Sequence, residues 1–163
     1  MNVKTYSYWM IALAVILFTS CDKSNESNEK IKDDESLIFS IRHFGGMLGY
    51  SESLEINAGA THYSVSYYDI SIRDYKKYQT TIETSGELWD YLIKTFDLKT
   101  FTKIKEGPCR ACLDGFDSII SVIKDGETYS VRNGITDKHY QKIQNFFDSI
   151  FEQLEDFRAN LTS

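Results

Sequence analysis

Leu48-Gly49-Tyr50-Ser51-Glu52-Ser53-Leu54-Glu55-Ile56-Asn57 has a period of two: Leu48, Tyr50, Leu54 and Ile56 fall on one side, Gly49, Ser51, Ser53, Glu55 and Asn57 on the other. Successive side chains of a strand point to opposite faces. The stretch therefore predicts a strand with one dry face and one wet face, as in an antiparallel sheet covered on one side. Upstream, Leu37, Phe39 and Ile41 repeat the pattern and stop at Gly45-Gly46, which predicts a first strand running into a glycine turn. Downstream, Asn57-Ala58-Gly59-Ala60 reads as a turn, Tyr63, Val65 and Tyr67 as a third strand, and Tyr75 to Glu83 as a fourth, more polar one. These four form a meander.

The period changes after Ser85, a residue type that caps helices. Leu88, Trp89, Leu92, Ile93 and Phe96 follow helical spacing and predict a helix lying on the sheet. A loop is expected from Lys99 to Asp117, with the sole proline, Pro108, and two cysteines. Ser118 to Lys124 and Glu127 to Arg132 flank Asp125-Gly126, a dipeptide suited to the positive φ angles of a tight hairpin. Asn133-Gly134 ends that hairpin. Thr136 is then expected to cap one long helix whose stripe is Ile143, Phe147, Ile150, Leu154 and Phe157. The sum is an α+β domain over residues 36–160, an antiparallel sheet of a four-strand meander plus a later hairpin, with two helices packed on one face.

Ahead of that domain the sequence changes character. Lys4 precedes an apolar run from Tyr8 to Phe18, shorter than the ~20 residues a spanning helix needs. The segment closes on Phe18-Thr19-Ser20-Cys21. A charged start, a short apolar middle and small residues at the cut are the layout of a cleaved export signal. The last four residues resemble the lipobox of bacterial lipoproteins, with Phe18 where that motif prefers Leu. The resemblance implies a signal peptide over 1–20, a lipid-modified N-terminus at Cys21, and attachment to a membrane through acyl chains. Residues 22–35 hold one apolar side chain, Ile31, and are expected to be a disordered acidic tether. Acidic residues behind such a cysteine also resemble the export tracts of some Gram-negative surface lipoproteins, which implies an outer-membrane location, periplasmic or surface-exposed.

The chain of 163 residues has a net charge of −6, and Lys4 is the only charge in the expected signal. An acidic chain without clustered Lys and Arg argues against nucleic acid as a partner. Nine of the eleven tyrosines follow residue 21. Tyrosine favours strands and wet interfaces, so Tyr63, Tyr67, Tyr68, Tyr75 and Tyr78 are the candidate binding surface for another protein or a glycan.

Cys109-Arg110-Ala111-Cys112 is the sharpest chemical motif. Its spacing serves zinc binding, thiol exchange or a small disulfide. Zinc would have to draw on His43, His62, His139 or carboxylates, because no second cysteine pair exists. A redox cysteine belongs at a helix N-terminus, whereas Gly107-Pro108 before the pair and Leu113-Asp114-Gly115 after it read as loop. A disulfide stiffening that loop is the expected state, with a thiol oxidoreductase as the alternative. Asp114, Asp117 and Asp125 lack the alternating acids and closing glutamate of a calcium loop, and Asp114-Gly115 and Asp125-Gly126 read as turns. No metal, cofactor or catalytic residue is expected, since three scattered histidines and no Gly-x-Ser-x-Gly make no nucleophilic site.

Ser40-Ile41-Arg42-His43-Phe44-Gly45-Gly46-Met47-Leu48-Gly49, followed by Cys112-Leu113-Asp114-Gly115-Phe116 and a strand pair, resembles small bacterial domains related to emfourin, the protealysin inhibitor. The similarity covers Leu37 to Phe157. It implies a small α+β protein that blocks a metalloprotease cleft, although the stretch from Tyr63 to Tyr78 and the cysteine pair have no counterpart in that pattern. The expectation from the residues themselves is a membrane-anchored exported lipoprotein with a non-catalytic binding domain.

Overall fold

Phe39 and Ile41 are almost completely buried, and the strand that carries them, β1 (Ile38–Gly45), lies inside the sheet. It pairs antiparallel with β2 (Tyr50–Ile56) on one side and β5 (Phe116–Lys124) on the other. Beyond β2 come β3 (Ala60–Asp69) and β4 (Asp74–Glu83), and beyond β5 comes β6 (Glu127–Arg132). The order is β4-β3-β2-β1-β5-β6, antiparallel throughout. The protein is α+β, as the alternation predicts. This computed structural model describes residues 36–161; the expected signal 1–20, the lipid-accepting Cys21 and the tether to residue 35 lie outside the described residues. Among the described residues no helix is long and apolar enough to cross a membrane.

Helices cover the face carrying Phe39, Ile41, Leu54, Ile56, Tyr63, Ile120 and Val122. Ser85 Oγ accepts from Leu88 N at 3.2 Å and starts α1 (Gly86–Thr95), which lays Trp89 and Leu92 on Phe39. The expected loop after it is more ordered than its composition suggests. Asp97 caps a four-residue helix, α2 (Leu98–Phe101), and so drives Phe101 fully into the core. A short 3-10 turn follows at Ala111–Leu113.

The expected single C-terminal helix is two. Asp137, not Thr136, is the cap: its Oδ1 accepts from His139 N at 2.7 Å and begins α3 (Lys138–Lys142). Thr136 closes a 3-10 turn instead. Ile143 leaves helical geometry at φ −120° and ψ 31°, and α4 (Gln144–Leu161) starts anew. The break turns Phe146 and Phe147 both inward. Phe146 meets Phe39 edge-on at 4.9 Å and Phe147 stacks on Tyr140 at 4.0 Å. The predicted stripe of Ile143, Ile150 and Leu154 is buried alongside them.

The opposite face is open and rich in hydroxyls. Ser53 faces Ser64 at 3.2 Å, Ser121 faces Ser130 at 2.8 Å, and His62 Nδ1 lies 2.8 Å from Thr81 Oγ1. Cross-strand hydroxyl pairs of this kind stabilise a wet face without apolar burial.

Candidate functional site at the hairpin end of the sheet

One end of the sheet gathers the β1–β2 turn, the β3–β4 turn and the start of β5. Leu48, placed by its period on the dry face, sits in the first turn and is 49% exposed, because pairing stops at Gly45 and Tyr50. Beside it, Met47 is 85% exposed. The second turn exposes Ile70 and Ile72, followed by Tyr75; the loop before β5 exposes Leu113, and Phe116, the first residue of β5, is exposed as well. These groups adjoin one another. The Tyr75 hydroxyl lies 3.0 Å from where a Cβ on Gly49 would stand, and the Phe116 ring lies 3.0 Å from a Cβ on Gly46. Gly46 N also donates to Gly115 O at 3.0 Å, tying the β1–β2 turn to the cysteine loop.

Cys109 and Cys112 are joined by a disulfide in that loop, with Cα atoms 5.5 Å apart. Asp117 does more to hold the loop in place. Its Oδ1 accepts from Arg110 N at 2.7 Å, Ala111 N at 3.3 Å and Asn133 Nδ2 at 2.6 Å. Burial alone would raise the Asp117 pKa, but those donors outweigh it and hold the carboxyl below its usual value. Asp114 and Asp125 stand at φ 60° and 53°, the left-handed geometry of the turns predicted for them. Among the described residues no group of three or more His, Cys, Asp or Glu side chains is placed to hold a metal ion.

The five tyrosines of the expected surface do not share one surface. Strand parity divides them: Tyr63, Tyr67 and Tyr78 point to the helix side, Tyr68 and Tyr75 to the open side. Tyr63 is only 1% exposed and stacks on Phe157 at 5.0 Å. Tyr68 and Tyr75 meet edge-on at 5.4 Å. The exposed chemistry at this end thus combines aliphatic groups with Tyr67, Tyr75 and Phe116.

Under the rim lies a polar cluster that sequence reasoning did not isolate. Glu52 has the parity of Tyr50 and Leu54, so it points into the core and is 1% exposed. Tyr63 OH donates to its Oε1 at 2.6 Å, and Arg158 from α4 donates through Nε to both oxygens and through Nη2 to Oε2. The Glu52 carboxylate holds the Arg158 guanidinium well above its ordinary pKa. Burial, then the hydrogen bond to Glu52, pushes the Tyr63 hydroxyl well up. The signal was present in the sequence: an acid on the dry parity of a strand, and an arginine one residue beyond the apolar stripe of the last helix.

Compared with protein-family models and with curated proteins, the chain matches none.

His43 stands opposite Glu52 on one side and Ser118 on the other. Its Nδ1 lies 3.0 Å from Ser118 Oγ and its ring stacks on Phe116 at 5.2 Å. Ser118 also lines a cleft of about 220 Å³ with Ile120, Val131, Asn133, Tyr140 and Phe151. A serine–histidine pair works as a nucleophile when an acid orients the imidazole. Here the acid in register, Glu52, accepts from Tyr63 and Arg158 at its two oxygens.

Burial, and next the Arg158 charge, lower the His43 pKa from its ordinary 6.5, while the carboxylates of Glu52 and Glu155 oppose the shift. Because the folded value is depressed, the unfolded chain binds more protons between the two values. The contribution of neutral His43 is therefore complete above about 6.5 and is lost as pH falls through the lowered folded value. Thermal melts between pH 7.5 and pH 5 (roughly one unit either side of the usual histidine value) are expected to show a falling Tm. His43→Gln should flatten that slope, and an unchanged slope would contradict the assignment.

Proposed function

We propose that this chain is a membrane-anchored lipoprotein of a Gram-negative outer membrane, held through Cys21, whose domain binds another protein without catalysis. The observation that carries the binding reading is the rim: Met47, Leu48, Ile70, Ile72, Leu113 and Phe116 are all exposed at one end of the sheet. Water-facing apolar groups gathered in one place mark interaction sites, whereas scattered ones need no explanation. The rim is also backed by rigid structure, namely two hairpins, a disulfide loop and the buried Glu52–Arg158 pair. A preorganised surface loses little entropy on binding. The 14-residue segment between Cys21 and the domain reads as a solvated spacer that lets the domain stand off from its anchor.

A second reading is favoured by one contact. The segments 40–49 and 112–116, which carry the emfourin resemblance, meet at this rim through Gly46 N and Gly115 O at 3.0 Å. An inhibitor would use the same surface to fill a metalloprotease cleft. Capture experiments with the intact chain and with a Met47→Asp, Ile70→Asp, Leu113→Asp variant test the rim. The wild type is expected to retain specific proteins that the variant loses, and equal retention by both would contradict the proposal. A secreted metalloprotease inhibited by the wild type and not by the variant would assign the second reading.

A further inference from the structure

Among the described residues strand β4 ends the sheet, and its outer edge faces no other strand. All ten of its residues pair regularly with β3, and nine of the ten are exposed. Natural edges are usually blunted by charged side chains, a bulge, a proline or a covering loop, because a long regular edge templates pairing with another chain. β4 contains no proline and no bulge, and the charges that would repel another edge, Asp74, Lys76, Lys77 and Glu83, are of both signs.

Its sequence, Asp74-Tyr75-Lys76-Lys77-Tyr78-Gln79-Thr80-Thr81-Ile82-Glu83, is complementary to itself in one antiparallel register. With Thr80 opposite Thr80 on a two-fold axis, Lys77 meets Glu83 on the open face, Tyr78 meets Ile82 on the helix face, and Gln79 meets Thr81. Sliding by two residues in one direction puts Lys77 opposite Thr81, and in the other puts Glu83 opposite Gln79. Both moves lose the ion pair. Among the described residues neither Lys77 nor Glu83 has an ion-pair partner within the chain, whereas Lys76 is held by Asp69. Tyr78 and Ile82 are 44% and 49% exposed and border a groove of about 380 Å³ against Gln153, Asp156 and Phe157 of α4.

We propose that β4 pairs with β4 of a second copy of this chain about a two-fold axis through Thr80, joining two six-stranded sheets into one. Such an interface is isologous: each Lys77–Glu83 and Tyr78–Ile82 contact occurs twice. The groove beside Tyr78 and Ile82 then receives the same two side chains of the other copy.

The test uses the intact chain held in detergent. Sedimentation velocity over a dilution series is expected to show a monomer–dimer equilibrium. Lys77→Glu and Glu83→Lys should each weaken the dimer by about tenfold, since each sets two like-charged pairs face to face. The double variant should recover it. A zero-length carbodiimide crosslink between Lys77 and Glu83 is expected as well, and it must be intermolecular, because six residues of strand hold the two about 20 Å apart in one chain. A wild type that stays monomeric at every concentration, or a dimer that both charge reversals leave intact, overturns the proposal.

Discussion

Arg158→Ala is expected to destabilise the domain by about 3 kcal/mol, the low end of the range for removing one partner of a buried ion pair, because Glu52 is buried while the Arg158 side chain stays 33% exposed. Glu52 lies in the β2 layer under α4 with essentially no solvent access; its two oxygens accept from Tyr63 once and from Arg158 three times. Removing the guanidinium leaves a buried carboxylate with only the Tyr63 and Tyr50 hydroxyls to offset its charge. Arg158 also donates to Glu155 one turn back on α4, so the last turns of that helix should loosen with it. The effect belongs to the unpaired charge and not to the pair's net strength. Replacing both members together, as Glu52→Leu with Arg158→Leu, should therefore cost much less than the single change. Urea denaturation of the three variants checks this: a double variant as unstable as Arg158→Ala would show that packing, not charge, dominates there.

Gly45→Ala is the second large effect, expected at about 3 kcal/mol or above by combining backbone strain with a steric overlap that cannot relax. Gly45 has φ +140°, a conformation L side chains rarely adopt. A Cβ there would stand 2.1 Å from Gly115 O and 3.0 Å from the Phe116 Cα. Both obstacles are backbone, held in turn by the pairing of Gly45 with Phe116 and by the hydrogen bond from Gly46 N. The substitution should separate the β1–β2 turn from the cysteine loop before it unfolds the sheet. Hydrogen exchange at Gly46 N is expected to speed up more than at Ile41, deep in the same strand; equal protection at both would refute the local account.

Strand periods foretell the meander and the faces its first three strands bury, and the Asp125-Gly126 dipeptide foretells the hairpin, because alternation and turn chemistry need only neighbouring residues. Glu52 escapes such a reading. It sits on the buried parity among Tyr50, Leu54 and Ile56, and only the partner 106 residues later, Arg158, makes an acid tolerable there. Phe101 escapes for a different reason: a single buried side chain on a four-residue helix has no period to reveal it. The C-terminal helix reads as continuous because the break at Ile143 preserves the apolar spacing on both sides of it.

The site was half legible. Tyrosine density fits the strands that carry it, yet composition cannot say that Tyr63 lies under Phe157 while Tyr68 faces away. Met47, Ile70 and Leu113 come from three turns far apart in sequence, and only the strand order brings those turns to one end.

Photo-crosslinking from the rim tests the binding reading most directly. A photoreactive residue at Leu113 of the intact chain, in its native membrane, is expected to give a discrete crosslinked protein band. The same residue at Gly126, in the β5–β6 turn at the far end of the sheet, should give none. Equal crosslinking from both positions, or from neither, would contradict a partner held at the rim.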